Sequence, residues 1–425
     1  MNILITTFGT RGDIQPFIAL GLGLQAAGHS VGLCTSEGYR SFVESNGLPY
    51  LHMDNAMLEL AQSAIGDVPN KREAMGMIQR MSRAMSGMML DEWQAAQDIQ
   101  PDVIIYHPKC IGSLHVAEKL GIPAVLSIPL PFYTPTRAFP VPFMANNPLG
   151  ERFNRLTYVM HRFQSAMFSG IINTFRRQTL GLPAQGRFTN ALVRASGEPV
   201  PVLYPFSPHV VPVPDDYPPH VHVTGYWFLD HDDGWQPDPA LVRFLEAGAP
   251  PVYVGFGSMP FQKGAATRTQ AVLDALDATQ QRALLARGWG GLSASDLPAN
   301  VMMLDTVPHD WLFPQVAAVV HHGGAGTTAA GLRAGKPTIV CPFLGDQPFW
   351  GKVVQGLGVG PAPIPIHKLT AATLTPALTA TRSSAMQANA AALGEQIRAE
   401  DGIGRAVGLI ETIAAQTPVR QPVLL

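Results

Sequence analysis

The stretch that most restricts the fold is Val319–Gly351, VVHHGGAGTTAAGLRAGKPTIVCPFLGDQPFWG. A short apolar run, Ala317–His321, enters a glycine-rich turn that opens a helical stretch. A second apolar run, Pro337–Cys341, follows and leads to the pair Asp346-Gln347. Short strands joined through a helix pair in parallel, so this stretch calls for a parallel sheet covered by helices. It also concentrates chemistry on one sheet edge. A helix start offers unpaired backbone N–H groups and a positive dipole end, worth roughly 0.3–2 kcal/mol to an anion. Gly323, Gly324 and Gly326 let the backbone approach phosphate oxygens that a Cβ would hold off. His322, Thr327 and Thr328 add donors. Asp346 and Gln347 then supply an acceptor and a donor that suit vicinal sugar hydroxyls. Diphosphate first and sugar second describes a nucleotide sugar.

The same alternation of strand and helix runs through the chain. Asn2–Thr7, Ser30–Thr35, Val103–Tyr106 and Ala124–Ile128 read as strands, with helices expected over Ile14–Ala27, Glu37–Asn46 and Ile111–Lys119. A second series comprises Val252–Phe256, Arg282–Arg287, Val301–Leu304 and the two strands already named. A length of 425 residues favours two domains. Pro199–Pro219, rich in proline, reads as the linker, which predicts domains over 1–215 and 216–400 and a terminal piece over 401–425. The fold class is therefore α/β, with two doubly wound, Rossmann-like domains.

Composition excludes some functions. Lys plus Arg number 29 against 31 Asp plus Glu, with no basic run, which argues against nucleic acid. Cys34, Cys110 and Cys341 lie far apart without paired spacing, so reduced thiols and a cytoplasmic location are expected. MNILITTFG lacks the basic start and long apolar core of a signal peptide, and no apolar run reaches the ~18 residues of a spanning helix. The expectation is a soluble protein, at most in peripheral contact with a membrane, with no protein partner implied.

Several pieces together resemble the nucleotide-diphosphate-sugar glycosyltransferases of the GT-B fold, and within them the sterol 3-beta-glucosyltransferases. These pieces are Pro308–Phe313 (PHDWLF), His321–Thr328 (HHGGAGTT), Leu332–Gly335, Pro342–Trp350, the N-terminal GTRGDIQP, and PTRAFP ahead of Val141. The resemblance implies two such domains facing a central cleft, with the last helical stretch, Gly404–Ala415, folding back onto the first. It implies an inverting transfer of a hexose, with UDP-glucose as co-substrate, no metal and no further cofactor. It places Asp13 as the base that takes the acceptor proton, and Thr10 and Ser258 near the donor. Val307 and His309 fall where the uracil edge is read, and Trp289 is the substitute for a base-stacking ring that the position of Thr306 lacks. His322, Gly324, Gly326 and Thr327 hold the diphosphate in this scheme, and Asp346 and Gln347 the hexose.

Other readings compete at particular residues. GxxG in the first loop, with Glu37 beyond it, could serve a dinucleotide. Asp13 could simply cap a helix beginning at Ile14. The histidines His309, His321 and His322 lack zinc spacing, and Asp230-His231-Asp232 reads as a solvated loop although it mimics a metal-binding DxD. Trp311 is expected in the core. Met75, Ile78, Met81, Met85 and Met88 or Met89 recur at helical spacing, so Met81 and Met85 could line an apolar acceptor pocket, with Phe132 and Arg137 as a second wall. Both features favour a lipophilic alcohol such as a sterol or triterpenoid. Alternatives are a dTDP-deoxysugar-dependent macrolide or polyketide enzyme, an epimerase on the same fold, and a non-catalytic nucleotide-sugar binder.

Overall fold

The computed structural model describes residues 1–63, 71–144, 150–194, 196–231, 234–257, 264–287 and 297–416. Two parallel sheets organise it. The first contains β1 (Asn2–Thr6), β2 (Ser30–Ser36), β3 (Tyr50–Met53), β4 (Val103–Tyr106), β5 (Ala124–Ser127), β6 (Val202–Tyr204) and β7 (Val221–Val223). Their order is β3-β2-β1-β4-β5-β6-β7. The second contains β8 (Val252–Gly255), β9 (Ala283–Ala286), β10 (Val301–Leu304), β11 (Ala318–His321) and β12 (Thr338–Val340), in the order β10-β9-β8-β11-β12. This is the two-domain GT-B architecture expected from the sequence. Central strands such as Ile3-Leu4-Ile5 are fully buried, as in a parallel sheet covered on both faces.

Strand order decides where ligands can enter. In the first sheet the chain reverses direction of growth between β1 and β4, which pair directly with Thr6 opposite Tyr106. In the second the reversal lies between β8 and β11, with Gly255 opposite His321. Crevices beyond the carboxyl ends of strands at such points are where open α/β sheets bind ligands.

Helix α1 (Arg11–Ala26) covers the first sheet by burying Ile14, Phe17, Ile18, Leu20 and Leu24. Each is worth about 1.5–3 kcal/mol of apolar burial. The terminal helix, here α7 (Gly402–Gln416), packs on the same core through Ala406, Val407 and Ile410. A Cβ on Gly23 would meet Ile403 Cγ2 at 2.2 Å, so the missing side chain permits this close approach. Helices used below are α2 (Lys71–Ile99), α3 (Glu151–Thr157), α4 (Met160–Gln178), α5 (Ala325–Arg333) and α6 (Gln347–Gly356).

The expected linker, with the boundary it implied, needs correction. The proline-rich segment 199–219 is not a free linker: β6 runs through it with all three residues buried, and β7 follows. The expected boundary at 215 therefore falls between two strands of the first sheet. The connection beyond β7 is tethered to the second domain: Arg333 grips the Asp230 carboxylate, and Asp310 Oδ2 accepts from the His231 backbone N–H at 2.8 Å. Asp230 and His231 thus stand in an exposed loop, as expected, and also tie it to the second domain; Asp232 lies outside the described residues. All three cysteines are free and buried. No helix among the described residues is long and apolar enough to cross a membrane.

Candidate active site

The loop after β1 holds a carboxylate in a fixed position. The helix starts at Arg11, not Ile14, with Thr10 as N-cap and Asp13 as its third residue. Asp13 Oδ2 accepts from the Thr10 backbone N–H at 2.8 Å and from the Thr10 hydroxyl at 3.2 Å. Asp13 is therefore part of a capping box and not the cap itself. That use occupies one oxygen. The other, Oδ1, faces the loop after β4, 2.9 Å from Lys109 Nζ and 3.5 Å from His107 Nε2. Gly9, at φ +142°, is required here, because a Cβ would stand 2.1 Å from Asp13 Oδ2.

Electrostatics follow from these contacts. Burial pushes the Asp13 carboxyl upward, but Lys109, His107 and the Thr10 N–H outweigh it and hold the group below the usual carboxylate range. His107 is buried, and burial together with Lys109 lowers it to about 3. Its Nδ1 accepts from the Lys109 backbone N–H at 3.2 Å, so the neutral ring carries its proton on Nε2, toward Asp13. His107 and Lys109 were missed in the sequence reading. The signal was available: they follow a recognised strand at its carboxyl end.

The loop after β11 is built differently. Gly323 donates its N–H to His321 Nδ1 at 2.9 Å, which places that ring's proton on Nε2, a buried atom with no partner among the described residues. His322 lies between two glycines. A Cβ at Gly257 would stand 2.8 Å from its Cε1, and one at Gly324 2.5 Å from its Nε2. Its Nδ1 is also buried without a partner among the described residues. Burial lowers His322 to about 4, leaving a neutral ring. Gly324 is the N-cap of α5 and provides no side-chain cap, so the helix start keeps its donors. Gly326 is exposed with nothing within 4 Å of where a Cβ would be, Thr327 stands beside it, and Thr328 turns inward to donate to the Gly324 carbonyl at 2.9 Å.

Asp346 stands at the N-cap position of α6 without a side-chain capping bond, and its Oδ2 accepts from Trp350 Nε1 at 2.9 Å. Burial raises its carboxyl, and the charges of Asp13 and Lys109 act on it, so Asp346 lies within electrostatic reach of the first domain's loop. Gln347 is buried, and its carbonyl accepts from Phe343 N at 2.7 Å and Leu344 N at 3.2 Å. That end holds the loop in shape. His309 stacks on Phe313 at 4.2 Å, and burial and the nearby Arg11 lower it to about 4. Val307 is half-buried against the core beside it. Trp311 is half-buried against Trp235, 5.1 Å away, and not sealed in the core. Ser258 and Trp289 lie outside the described residues.

An apolar recess opens beside the first loop. Tyr106, Pro108, Ile111 and Leu114 form one side, and α4 contributes Phe168 and Ile172 on the other. Pro108 links it to the Asp13 site, since it separates His107 from Lys109. The residues expected to line such a pocket stand elsewhere. Met85 is in the core with Met88 and Met89, and Met81 is half-buried on α2. Phe132 lies one layer back, edge-on to Tyr133 at 5.1 Å and His161 at 4.5 Å. Arg137 is exposed, and its backbone N–H is held by Asp216 Oδ2 at 3.0 Å. Met75 and Ile78 face solvent. The methionine stripe was thus mostly packing, and the pocket wall was the unflagged helix α4.

Similarity to known proteins identifies the family. Residues 3–140 match the glycosyltransferase family 28 N-terminal domain, and residues 272–403 the erythromycin biosynthesis protein CIII-like C-terminal domain. A sterol 3-beta-glucosyltransferase of Arabidopsis thaliana is 38% identical over 96% of this chain and 67% of its own length. One of Emericella nidulans is 37% identical over 96% of this chain, which spans only 30% of that relative. The crystal structure of the glycosyltransferase of kitacinnamycin superposes with a TM-score of 0.72 at 21% identity, over 98% of this chain and 99% of that one. The chain belongs to the glycosyltransferase family that includes the sterol 3-beta-glucosyltransferases.

Proposed function

We propose that the protein transfers glucose from UDP-glucose to the hydroxyl of a sterol-like alcohol, with inversion at the anomeric carbon. One observation carries this reading: the Asp13 carboxylate lies within electrostatic reach of Asp346, whose neighbour Gln347 packs against Gly323 just ahead of the open start of α5, and an apolar recess opens beside the first loop. The names of the relatives, sterol 3-beta-glucosyltransferases, support donor sugar and acceptor class. In this scheme the alcohol lies in the recess of the first domain and the nucleotide sugar on the second. The hydroxyl oxygen forms a bond to the anomeric carbon as the bond to the diphosphate oxygen breaks, and the hydroxyl proton passes to Asp13 Oδ1. A carboxylate held low by Lys109 is a weak base, which suits a proton that becomes acidic only as the new bond forms. Negative charge grows on the leaving diphosphate and is met by backbone N–H groups of Gly326 and Thr327 and by His322. Asp346 and Gln347 hold the hexose.

No cofactor beyond the nucleotide sugar is required by this donor set, so turnover should survive a chelator. The test is a panel of sterols, triterpenoids, macrolides and flavonoids offered with UDP-glucose and with dTDP-sugars, read by mass gain of one hexose and release of free nucleotide. Glucosylation of flat apolar alcohols is the expected result. Isomerised sugar without glycoside, or transfer only from dTDP-deoxysugars, would replace this reading with one of the alternatives.

A further inference from the structure

Helices α3 and α4 expose several large apolar side chains. Phe153, Leu156, Met160, Phe163 and Met167, with Phe188 beyond them, are between 41% and 72% exposed. Phe163 and Phe188 pack edge to face at 6.4 Å, and Phe153 with Leu156, and Met160 with Phe163 and Met167, stand three or four residues apart and so adjoin along their helices. Between Phe143 and Phe188 the sequence has six arginines against one glutamate, with no lysine and no aspartate, in a chain whose net charge is −2. Arg176 is buried against Glu118 at 2.6 Å and does not count toward the surface. Arg152 and Arg155 interleave with Phe153 and Leu156 on α3 and are exposed. Aromatic and basic side chains mixed on one helical face fit the boundary between headgroups and acyl chains, where rings enter and guanidinium groups meet anionic phosphates. Helix α4 has a second apolar side, because Phe168 and Ile172 line the recess.

We propose that this face docks on an anionic lipid bilayer, so that a lipophilic alcohol passes from the membrane into the recess behind α4. The docking rests on the patch itself; its use in acceptor delivery rests on the function proposed above. The experiment is flotation of the full chain with vesicles of phosphatidylcholine alone or mixed with phosphatidylserine, with no acceptor present. Binding to the mixed vesicles is expected, weakened by salt and not displaced by inorganic phosphate. The double variants Phe163→Ser with Met167→Ser, and Arg152→Glu with Arg155→Glu, should each lower that binding by about tenfold or more. Both should keep the parent unfolding temperature and the rate on a detergent-dispersed alcohol, while losing rate on an alcohol embedded in mixed vesicles. Equal flotation of parent and variants, no flotation of the parent, or equal binding to neutral vesicles would overturn the docking. So would a concentration-dependent dimer that Phe163→Ser abolishes, since a second copy would then cover the face. Loss of the proposed transfer activity on every acceptor, with flotation intact, would instead count against the functional reading alone.

Discussion

Two loops occupy equivalent places in the two sheets, each leaving a strand at the point where strand order reverses, yet they solve opposite electrostatic problems. The loop after β1 is charged: Asp13 is paired with Lys109 at 2.9 Å and flanked by His107. The loop after β11 carries no formal charge: His321 and His322 are kept neutral by burial, and Gly323, Gly324 and Gly326 have nothing to add but backbone. An attacking group must exchange a proton, so it needs a tunable charge. A site for a dianion that must also let it go is better served by oriented neutral donors than by a tight counterion.

The largest effect should come from the charged loop. Asp13→Asn keeps the size of the side chain but removes the base, and turnover should fall by about 10²–10⁴. UDP affinity, measured by calorimetry, should hold, because Asp13 lies on the other domain from the α5 start. Comparable turnover in Asp13→Asn would remove the loop from the chemistry. The neutral loop is probed by Gly324→Ala, whose Cβ would stand 2.5 Å from His322 Nε2 and displace the ring. Loss of a hydrogen bond to a charged group is worth about 1.5–3 kcal/mol, so KM for the donor should rise roughly tenfold to a hundredfold. Its acceptor KM should move little. His322→Ala should give the same donor defect if the ring is what the glycine protects.

Much of this was readable in the residues because the second loop is continuous. His321 to Thr328 carry strand end, turn and helix start in eight consecutive positions, so glycine pattern and donor chemistry appear together. The first loop is assembled from two places: Asp13 and Lys109 lie 96 residues apart and meet only because β1 and β4 are neighbours. Topology of that kind leaves no local trace. The lining of the apolar recess was missed for a related reason. Periodicity identifies an apolar stripe, as on α2, but not whether it faces the core, and Met85 and Met89 went to the core. Helix α4 has apolar residues on both sides, which blurs the stripe that a pattern search looks for. The segment around β6 was misread because proline dominates its composition while only three residues, Val202–Tyr204, form the strand.

Lys109→Met sharpens the contrast by removing the positive charge from the first loop. Lys109 and His107 hold the Asp13 carboxyl below its ordinary value against the pull of burial. Without Lys109, burial should prevail and the carboxyl should rise. The acidic limb of kcat/KM would then move to higher pH, while the rate on the alkaline side, where Asp13 is ionised in both forms, should hold or increase through a stronger base. An unmoved acidic limb would mean that Lys109 does not tune Asp13, and the electrostatic description of the loop would need another group.

The smallest effect lies beneath the same loop, at Glu92. Its carboxylate is buried, accepts from Ser113 Oγ at 2.6 Å, and through Ser113 reaches Thr6 Oγ1 at 2.7 Å, at the end of β1. Burial raises this group to about 7, from an ordinary 4.5. The folded state therefore keeps a proton that the unfolded chain releases, and stability is full below about 4.5 and declines as pH rises through about 7. Glu92→Gln fixes the neutral form. It should match the parent in unfolding temperature near pH 4.5 and exceed it by a few degrees at pH 8, read by thermal melts at both values. Donor KM should not change, since the second loop shares no contact with Glu92. A variant less stable than the parent at both pH values would show that Glu92 serves its neighbours as a carboxylate, and that the charge in this loop extends one layer deeper than Asp13 and Lys109.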